Sequence, residues 1–182
     1  TMKGVIEEFL DKLGITGRKL YRPNSGKTFL HPGRQANIIY NGEVMGYLGE
    51  IHPQVADNYG IGDKTYVAVL DMPVVVKYAD FDRKFTGIAR FPAVTRDLSM
   101  VVPHEILAGD IEDMIVQRGG KILESYQLFD VYEGSQIKAG YKSMAYSVVF
   151  RAKDKTLEES EINTAMKKIL NGLSSMGIEL RQ

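Results

Sequence analysis

The sequence contains no cysteine, which excludes both a disulfide framework and a thiolate metal site. It also lacks net charge, because 23 basic residues balance 23 acidic ones, and so no global field favours a polyanionic partner. Residues 1–90 hold 12 basic and 10 acidic residues, and residues 91–182 hold 11 and 13. Any binding of nucleic acid must therefore depend on where individual charges lie.

Long apolar segments are missing as well. No run approaches the roughly 18 residues of a membrane span and no signal-peptide pattern occurs, so the expected location is the cytoplasm, without a membrane partner. A length of 182 residues suits two units of roughly 80 to 95 residues, each able to close its own core. A charged connector over residues 77–90 predicts the boundary, with domains at 1–90 and 91–182.

The first half has the pattern of an antiparallel sheet with helices to one side. Apolar residues at helical spacing predict a helix that ends at Gly14, and Asn41-Gly42 between two apolar runs predicts a tight β-hairpin. No nucleophile–base pair is visible. His31 and His52 each precede a proline and have no third ligand nearby, which favours a structural role. Arg34 is more readily explained as a solvated loop residue than as a phosphate ligand.

The second half is organised around residues 91–102. A Phe-Pro turn precedes an alternating strand in which Leu98, Met100 and Val102 share one face. Helical spacing follows over residues 107–115, strands over 122–131 and 142–150, a long helix after a predicted capping box at Thr156, and a closing strand over 178–181. The order β-α-β-β-α-β predicts a ferredoxin-like domain. The fold class is thus α+β.

The predicted sheet has one face without helices, because right-handed crossovers place both helices on the other side. We expect that open face to carry Ser99, Ser143, Ala145, Ser147 and Arg181, with Arg96 at its rim. Small hydroxyl groups and a few arginines can take up unstacked bases and phosphates. A solvated face, or one packed against another domain, is the alternative, and the pattern alone favours it.

Three motifs follow one another in the second half. They are residues 91–102 (Phe-Pro-Ala-Val-Thr-Arg-Asp-Leu-Ser-Met-Val-Val), residues 128–134 (Leu-Phe-Asp-Val-Tyr-Glu-Gly) with Lys142-Ser143, and Thr156-Leu157 leading into Glu161-Ile162-Asn163. In order and spacing they resemble the anticodon-binding module at the end of the bacterial phenylalanyl-tRNA synthetase beta subunit. The resemblance covers most of residues 90–182.

The first half is similar to the end of the catalytic-like domain of the same subunit, through residues 2–4, 36–38 and 46–53. In the alpha subunit of that family, a similar strand precedes a glycine-rich segment with the arginine that acts on ATP. Residues 65–71 contain neither glycine nor arginine, so adenylate chemistry would lack its electrostatic stabilisation. The resemblance implies an inactive class II synthetase-like core with no catalytic or metal-binding residues. ATP and magnesium are expected only in the alpha subunit.

The resemblance implies a non-catalytic C-terminal fragment of a phenylalanine–tRNA ligase beta chain, with Thr1 as a cut boundary. It would bind the anticodon stem-loop of phenylalanine tRNA and support the heterotetramer formed with the alpha subunit. The candidate tRNA-binding residues are Arg96, Ser99, Ser143, Ser147, Arg181 and Phe91.

Several roles stay open at this point. Phe91, Tyr132 and Tyr141 are alternatives for a base stack, and Arg96 can instead pair with Asp97 or a strand neighbour. The rival function is a regulatory amino-acid-binding module of the same fold, although such sensors use a glycine turn where residues 103–105 read Pro-His-Glu.

Overall fold

Each half of the chain forms its own four-stranded antiparallel sheet with helices, which confirms the predicted α+β class. The computed structural model describes residues 1–62, 64–82 and 87–181. It divides into two units, Thr1–Thr86 and Gly87–Gln182. We refer to them as the first and second units.

The first unit has strand order β1-β2-β3-β4. Its elements are α1 (Met2–Lys12), β1 (Leu20–Pro23), β2 (Leu30–Tyr40), β3 (Glu43–Ile51), α2 (Pro53–Tyr59), β4 (Tyr66–Leu70) and α3 (Met72–Tyr78). Asn41 and Gly42, with φ angles of 50° and 80°, form the predicted tight hairpin between β2 and β3. The core brings α1 and α3 onto one side of the sheet through Leu10, Ile38 and Val75, all fully buried.

The second unit has strand order β6-β7-β5-β8, with every neighbouring pair antiparallel. Its elements are β5 (Val94–Pro103), α4 (Ala108–Gly119), a 3-10 turn (Gly120–Ile122), β6 (Leu123–Tyr132), β7 (Tyr141–Phe150), α5 (Glu159–Ser175) and β8 (Glu179–Leu180). This is the split β-α-β arrangement that the sequence pattern predicts.

Both helices of the second unit pack on one face of its sheet. Ile111 and Ile115 of α4, and Ile162, Ile169 and Leu173 of α5, are buried in one cluster with the apolar side chains of β5 and β7. Each such side chain contributes roughly 1.5–3 kcal/mol when fully buried. The core therefore lies between helices and sheet, and it fixes which side chains of the strands face the other way.

The start of α5 differs from the sequence prediction. Glu158, not Thr156, is the N-cap residue, and its side chain and that of Glu161 form a reciprocal capping box. The Glu161 carboxylate accepts from the Glu158 backbone N–H at 3.1 Å. The capping box therefore starts two residues later than predicted, and it satisfies the first backbone donors of the helix.

Candidate nucleic-acid interface

The register of β5 and β7 defines the face of the second unit's sheet that lies away from its helices. Residues directly opposite each other in an antiparallel pair project to the same face. Leu98 and Met100 oppose Tyr146 and Met144, which are buried in the core. The intervening residues of both strands therefore project the other way. Ser99 opposes Ala145 there.

We call this surface the open face. It consists of Thr95, Asp97, Ser99 and Val101 of β5, Ser143, Ala145, Ser147 and Val149 of β7, Ser125, Gln127, Asp130 and Tyr132 of β6, and Glu179 and Arg181 at the β8 edge. Ser99, Ser143, Ser147 and Arg181 thus lie together, on the face where the sequence predicts them.

A bulge in β6 adds residues that strand alternation does not assign to this face. Leu128 opposes the core residue Tyr146, and simple alternation would direct residues 130 and 132 to the core as well. The register shifts between Leu128 and Asp130, so that Asp130 opposes Ala145 and Tyr132 opposes Ser143. Both side chains are exposed. The bulge therefore brings a carboxylate and an aromatic ring onto the open face.

Arg181 reaches across the open face from the β8 edge. Its backbone N–H donates to the Ser99 carbonyl at 2.8 Å, and its Nη1 donates to the Ser143 hydroxyl at 3.4 Å. Ser143 is only 5% exposed, so its hydroxyl is a support for Arg181 more than a free surface group. Ser99 is exposed and Ser147 is half-buried. The predicted serines thus differ in how far a ligand can reach them.

The structure corrects the predicted position of Arg96. Arg96 lies two residues before Leu98 and therefore on the same face of β5 as Leu98 and Met100. Its Nη2 donates to Glu159 of α5 at 2.7 Å. The guanidinium is therefore held against the helix layer and not at the rim of the open face. The ion pair also differs from both partners that the sequence suggested, because Glu159 is neither Asp97 nor a strand neighbour.

Phe91 lies before β5 and outside the open face. It is half-buried, and its carbonyl accepts from Nη1 of Arg151 at 3.1 Å. The other two candidates for a base stack belong to the open face or its margin. Tyr132 is 39% exposed, and Tyr141 is half-buried with the Nζ of Lys138 at 5.1 Å from its ring centroid. Tyr132 is thus the most accessible of the three rings.

The loop between β6 and β7 sets the position of the Tyr132 ring. A Cβ atom at Gly134 would lie 2.2 Å from the tyrosine hydroxyl oxygen and 2.5 Å from Cζ. Only glycine therefore lets the ring rest against the loop. Gly134 of the sequence motif thus has a steric role, which the sequence alone does not reveal.

The open face is acidic. Asp97, Asp130 and Glu179 are exposed carboxylates, whereas Arg181 is the cation that the described open-face residues contribute. At the β8 margin, Arg181 and Lys138 line a cleft of about 250 Å³ together with Val101, Tyr141 and Glu179. Positive charge next to the open face is thus concentrated in this cleft, which we call the margin cleft.

In the first unit, Arg34, His31 and His52 all have structural partners. Both carboxylate oxygens of Glu50 accept from Nη1 of Arg34, at 2.9 and 2.8 Å, and the Glu50 side chain is 7% exposed. These hydrogen bonds lower the pKa of Glu50 below its usual value. Arg34 is thereby occupied and is not a loop residue free to hold a phosphate.

The two histidines of the first unit close turns. Nδ1 of His31 accepts from the Gly33 N–H at 3.1 Å, and Nδ1 of His52 accepts from the Gln54 N–H at 3.2 Å at the start of α2. Across residues 1–62, 64–82 and 87–181, no three His, Cys, Asp or Glu side chains come together in a group suited to a metal ion. In the same part of the chain, none of the helices has the length and apolar character needed to span a bilayer.

Comparison with known proteins gives two family matches. Residues 89–181 match the ferredoxin-fold anticodon binding domain, and residues 1–72 match the phenylalanyl tRNA synthetase beta chain CLM domain. The phenylalanine–tRNA ligase beta subunit of Clostridium tetani is 44% identical over 99% of this chain and 23% of its own length. That of Clostridium acetobutylicum is 39% identical over the same shares. The Bacillus subtilis protein is 36% identical over 94% of this chain and 21% of its own length. The chain thus spans less than a quarter of these relatives.

Proposed function

This chain belongs to the family of phenylalanyl-tRNA synthetase beta chains, and on that basis we propose that its second unit binds the anticodon stem-loop of phenylalanine tRNA on the open face. The observation that carries the proposal is the match of residues 89–181 to an anticodon-binding domain, combined with an exposed ring and polar groups on the helix-free face of its sheet. Bases in an RNA loop are unstacked, so both their faces and their edges are available to such a surface.

Tyr132 supplies the stacking platform in this proposal. Its ring is the most exposed of the three candidates and stands beside Asp130 on the same strand. One base stacked on an aromatic ring contributes roughly 1–3 kcal/mol and discriminates little between bases. Discrimination between one base and another must therefore come from hydrogen bonds.

The carboxylates of the open face suit base edges better than phosphates. The carboxylate groups of Asp97 and Asp130 accept hydrogen bonds, and base edges offer imino and amino donors, whereas phosphates offer none. Exposed Ser99 follows Asp97 on the same face of β5 and lies across Ala145 from Asp130, and its hydroxyl can donate or accept. We infer that the loop approaches with its bases towards the sheet.

Backbone phosphates then meet the cations of the margin cleft. Arg181 and Lys138 are the groups there that carry positive charge. With only about two phosphates neutralised, the slope of log K against log salt concentration should be near −1.4. Binding is thus weakly salt-dependent compared with that of a strongly basic RNA-binding protein.

We infer a non-catalytic role for the first unit, as an inactive core that supports assembly with the alpha subunit in the cytoplasm. The stretch with neither glycine nor arginine forms β4 and its flanks, so a cation for transferring phosphates is missing from it. ATP and magnesium would bind to the alpha subunit. The rival reading, a regulatory amino-acid sensor, has no support, because neither matched family is of that kind.

The test compares the affinity of this chain for phenylalanine tRNA with that for another tRNA across a salt series. We expect tighter binding of phenylalanine tRNA with a shallow salt slope. Arg181→Gln should weaken binding and reduce the slope by about 0.7, which corresponds to one phosphate. Arg96→Gln is the matched control, since its guanidinium is held by Glu159 in the helix layer. Equal affinity for the two tRNAs would overturn the proposal.

A further inference from the structure

A second concave site lies in the helix layer of the second unit. It is a cleft of about 390 Å³ between the C-terminal end of α4 and the first half of α5. Arg118, Lys121 and Lys168 line it from the last turn of α4, the following 3-10 turn and α5 respectively. We call it the helix-layer cleft. It is separate from the open face, because its lining comes from the elements that cover the other side of the sheet.

The negative charge that borders this cleft is already compensated. Glu161 is the carboxylate in the lining, and its Oε1 accepts from Lys155 Nζ at 2.7 Å while its Oε2 accepts from the Glu158 backbone N–H at 3.1 Å. These hydrogen bonds lower the pKa of Glu161, which therefore stays ionised and engaged. Glu161 thus leaves the three cations of the cleft to other partners.

Those cations have no carboxylate partner within residues 87–181 or the other described segments. A cation in the last turn of a helix is favourable by itself, and this effect accounts for Arg118. It does not account for Lys121, which lies beyond α4, or for Lys168, which belongs to a different helix. Their convergence on one cleft needs a separate explanation.

The aliphatic stem of Arg118 lies close to α5. A Cβ atom at Gly172 would lie 3.1 Å from Cγ of Arg118, so the arginine stem packs where α4 meets α5. Gly172, which has no side chain, accommodates this stem together with that of Met114, whose Sδ would lie 2.4 Å from the same Cβ atom. The Arg118 side chain is otherwise exposed, as are those of Lys121 and Lys168, so a ligand can reach all three charged groups.

We propose that the helix-layer cleft binds phosphate groups, either in an RNA backbone or in a free oligophosphate. Arg118 supplies a planar donor set that matches two phosphate oxygens, and Lys121 and Lys168 supply point charges. This site does not depend on the open face and does not rest on the proposed anticodon function. It takes a second stretch of anionic ligand, without recognition of base sequence.

The test uses the whole chain and a pair of charge-matched variants. Lys121→Gln/Lys168→Gln removes two cations from the cleft and leaves the packed stem of Arg118 unchanged. Lys153→Gln/Lys167→Gln removes two exposed lysines that lie outside the cleft, one of them adjacent to Lys168 in the sequence. Both variants lose two positive charges. A difference in their affinity for the probe therefore reflects where the lysines lie and not the change in net charge.

Two probes distinguish the sources of phosphate. Inorganic pyrophosphate is followed through the amide NMR shifts of Gly119 and Gly120, which line the cleft, against Ser99 on the open face. A labelled single-stranded oligouridine is followed by fluorescence anisotropy across a salt series. We expect shifts confined to the cleft, a loss of at least about fivefold in affinity for the cleft variant, and a salt slope reduced by about 1.4 with RNA.

Each outcome decides between the possibilities. Shifts and affinity loss with RNA support a backbone site, and the same results with pyrophosphate alone support a site for free phosphates. Equal losses in both variants, or unshifted Gly119 and Gly120 with both probes, would overturn the proposal. The ratio of affinities for the two tRNAs should stay unchanged in the cleft variant. A failure of the anticodon proposal would instead appear in that ratio while the cleft results stand.

Discussion

Removing the Tyr132 ring is the sharpest test of how the open face works. The ring is 39% exposed and opposes Ser143 in the sheet register, so a loop base can reach it without displacing the core. A stack of roughly 1–3 kcal/mol corresponds to about 5- to 150-fold in the dissociation constant. We therefore expect Tyr132→Ala to weaken tRNA binding by that factor and Tyr132→Phe to retain most of the affinity.

Gly134 allows the same ring to be displaced without being removed. Because a Cβ atom there would lie 2.2 Å from the tyrosine hydroxyl oxygen, Gly134→Ala forces the ring to swing away from the loop. We expect an affinity between those of the wild type and Tyr132→Ala. Gly109→Ala in α4 is the control, because a Cβ atom there meets nothing within 4 Å.

The assay is equilibrium binding of labelled phenylalanine tRNA, with a thermal unfolding curve for each variant to show that the second unit stays folded. If the Tyr132 ring stacks on a base, affinity should fall in the order wild type, Tyr132→Phe, Gly134→Ala, Tyr132→Ala. Binding of Tyr132→Ala within about twofold of the wild type would refute it, since a lost stack cannot be worth less than about 1 kcal/mol.

Three further predictions concern stability. Arg96→Gln should lower the free energy of unfolding in urea by only about 0.2–1 kcal/mol, because it removes a partly exposed ion pair; a larger loss would contradict this. The lowered pKa of Glu50 means that its pairing with Arg34 stabilises the fold above the unfolded-state pKa and is lost as the pH falls through the folded-state value. Below about pH 5, Glu50→Gln should therefore reduce the slope of the free energy of unfolding against pH, by an amount that corresponds to at most roughly one proton. An unchanged slope would show that the Glu50–Arg34 pair does not stabilise the fold. Gly14→Ala should lower the melting temperature, with a cost above about 1 kcal/mol, since φ is +79° and a Cβ atom would lie 1.7 Å from the Asp80 carbonyl oxygen; an unchanged melting temperature would contradict it.

The topology of the second unit could be predicted because most of its longer elements, β5 and α5 above all, repeat one hydrophobic period. Leu98, Met100 and Val102 alternate along β5, and α5 keeps its apolar residues at helical spacing. The same alternation already places Arg96 with the core-facing residues, two positions before Leu98. Its predicted position at the rim of the open face was therefore wrong for a reason visible in the sequence. Only its partner in α5 required the structure.

Asp130 and Tyr132 illustrate what the sequence could not supply. The register shift after Leu128 decides to which face of the sheet these two side chains project. A bulge adds one residue to a strand without changing the composition around it, so the sequence does not reveal it. The position of the Tyr132 ring depends in turn on Gly134, across a turn of the chain. The cap at Glu158 is similar, because several acidic residues in succession offer alternative starts for α5. Local patterns predict helices and strands, whereas the bulge, the ring position and the helix cap depend on contacts that form only in the folded chain.

Under the proposed function, the charges of the second unit separate two tasks, which are to receive bases and to attract phosphates. An RNA backbone laid flat on the open face would bring phosphates against Asp97, Asp130 and Glu179, with Arg181 alone to offset them. Such a face repels backbone and admits bases, so it favours the loop, where bases are unstacked, over the paired stem. Several cations line the margin cleft and the helix-layer cleft instead. Under the same proposal, a chain without net charge selects an RNA loop because its open face repels phosphates, and it attracts phosphates only at the two clefts.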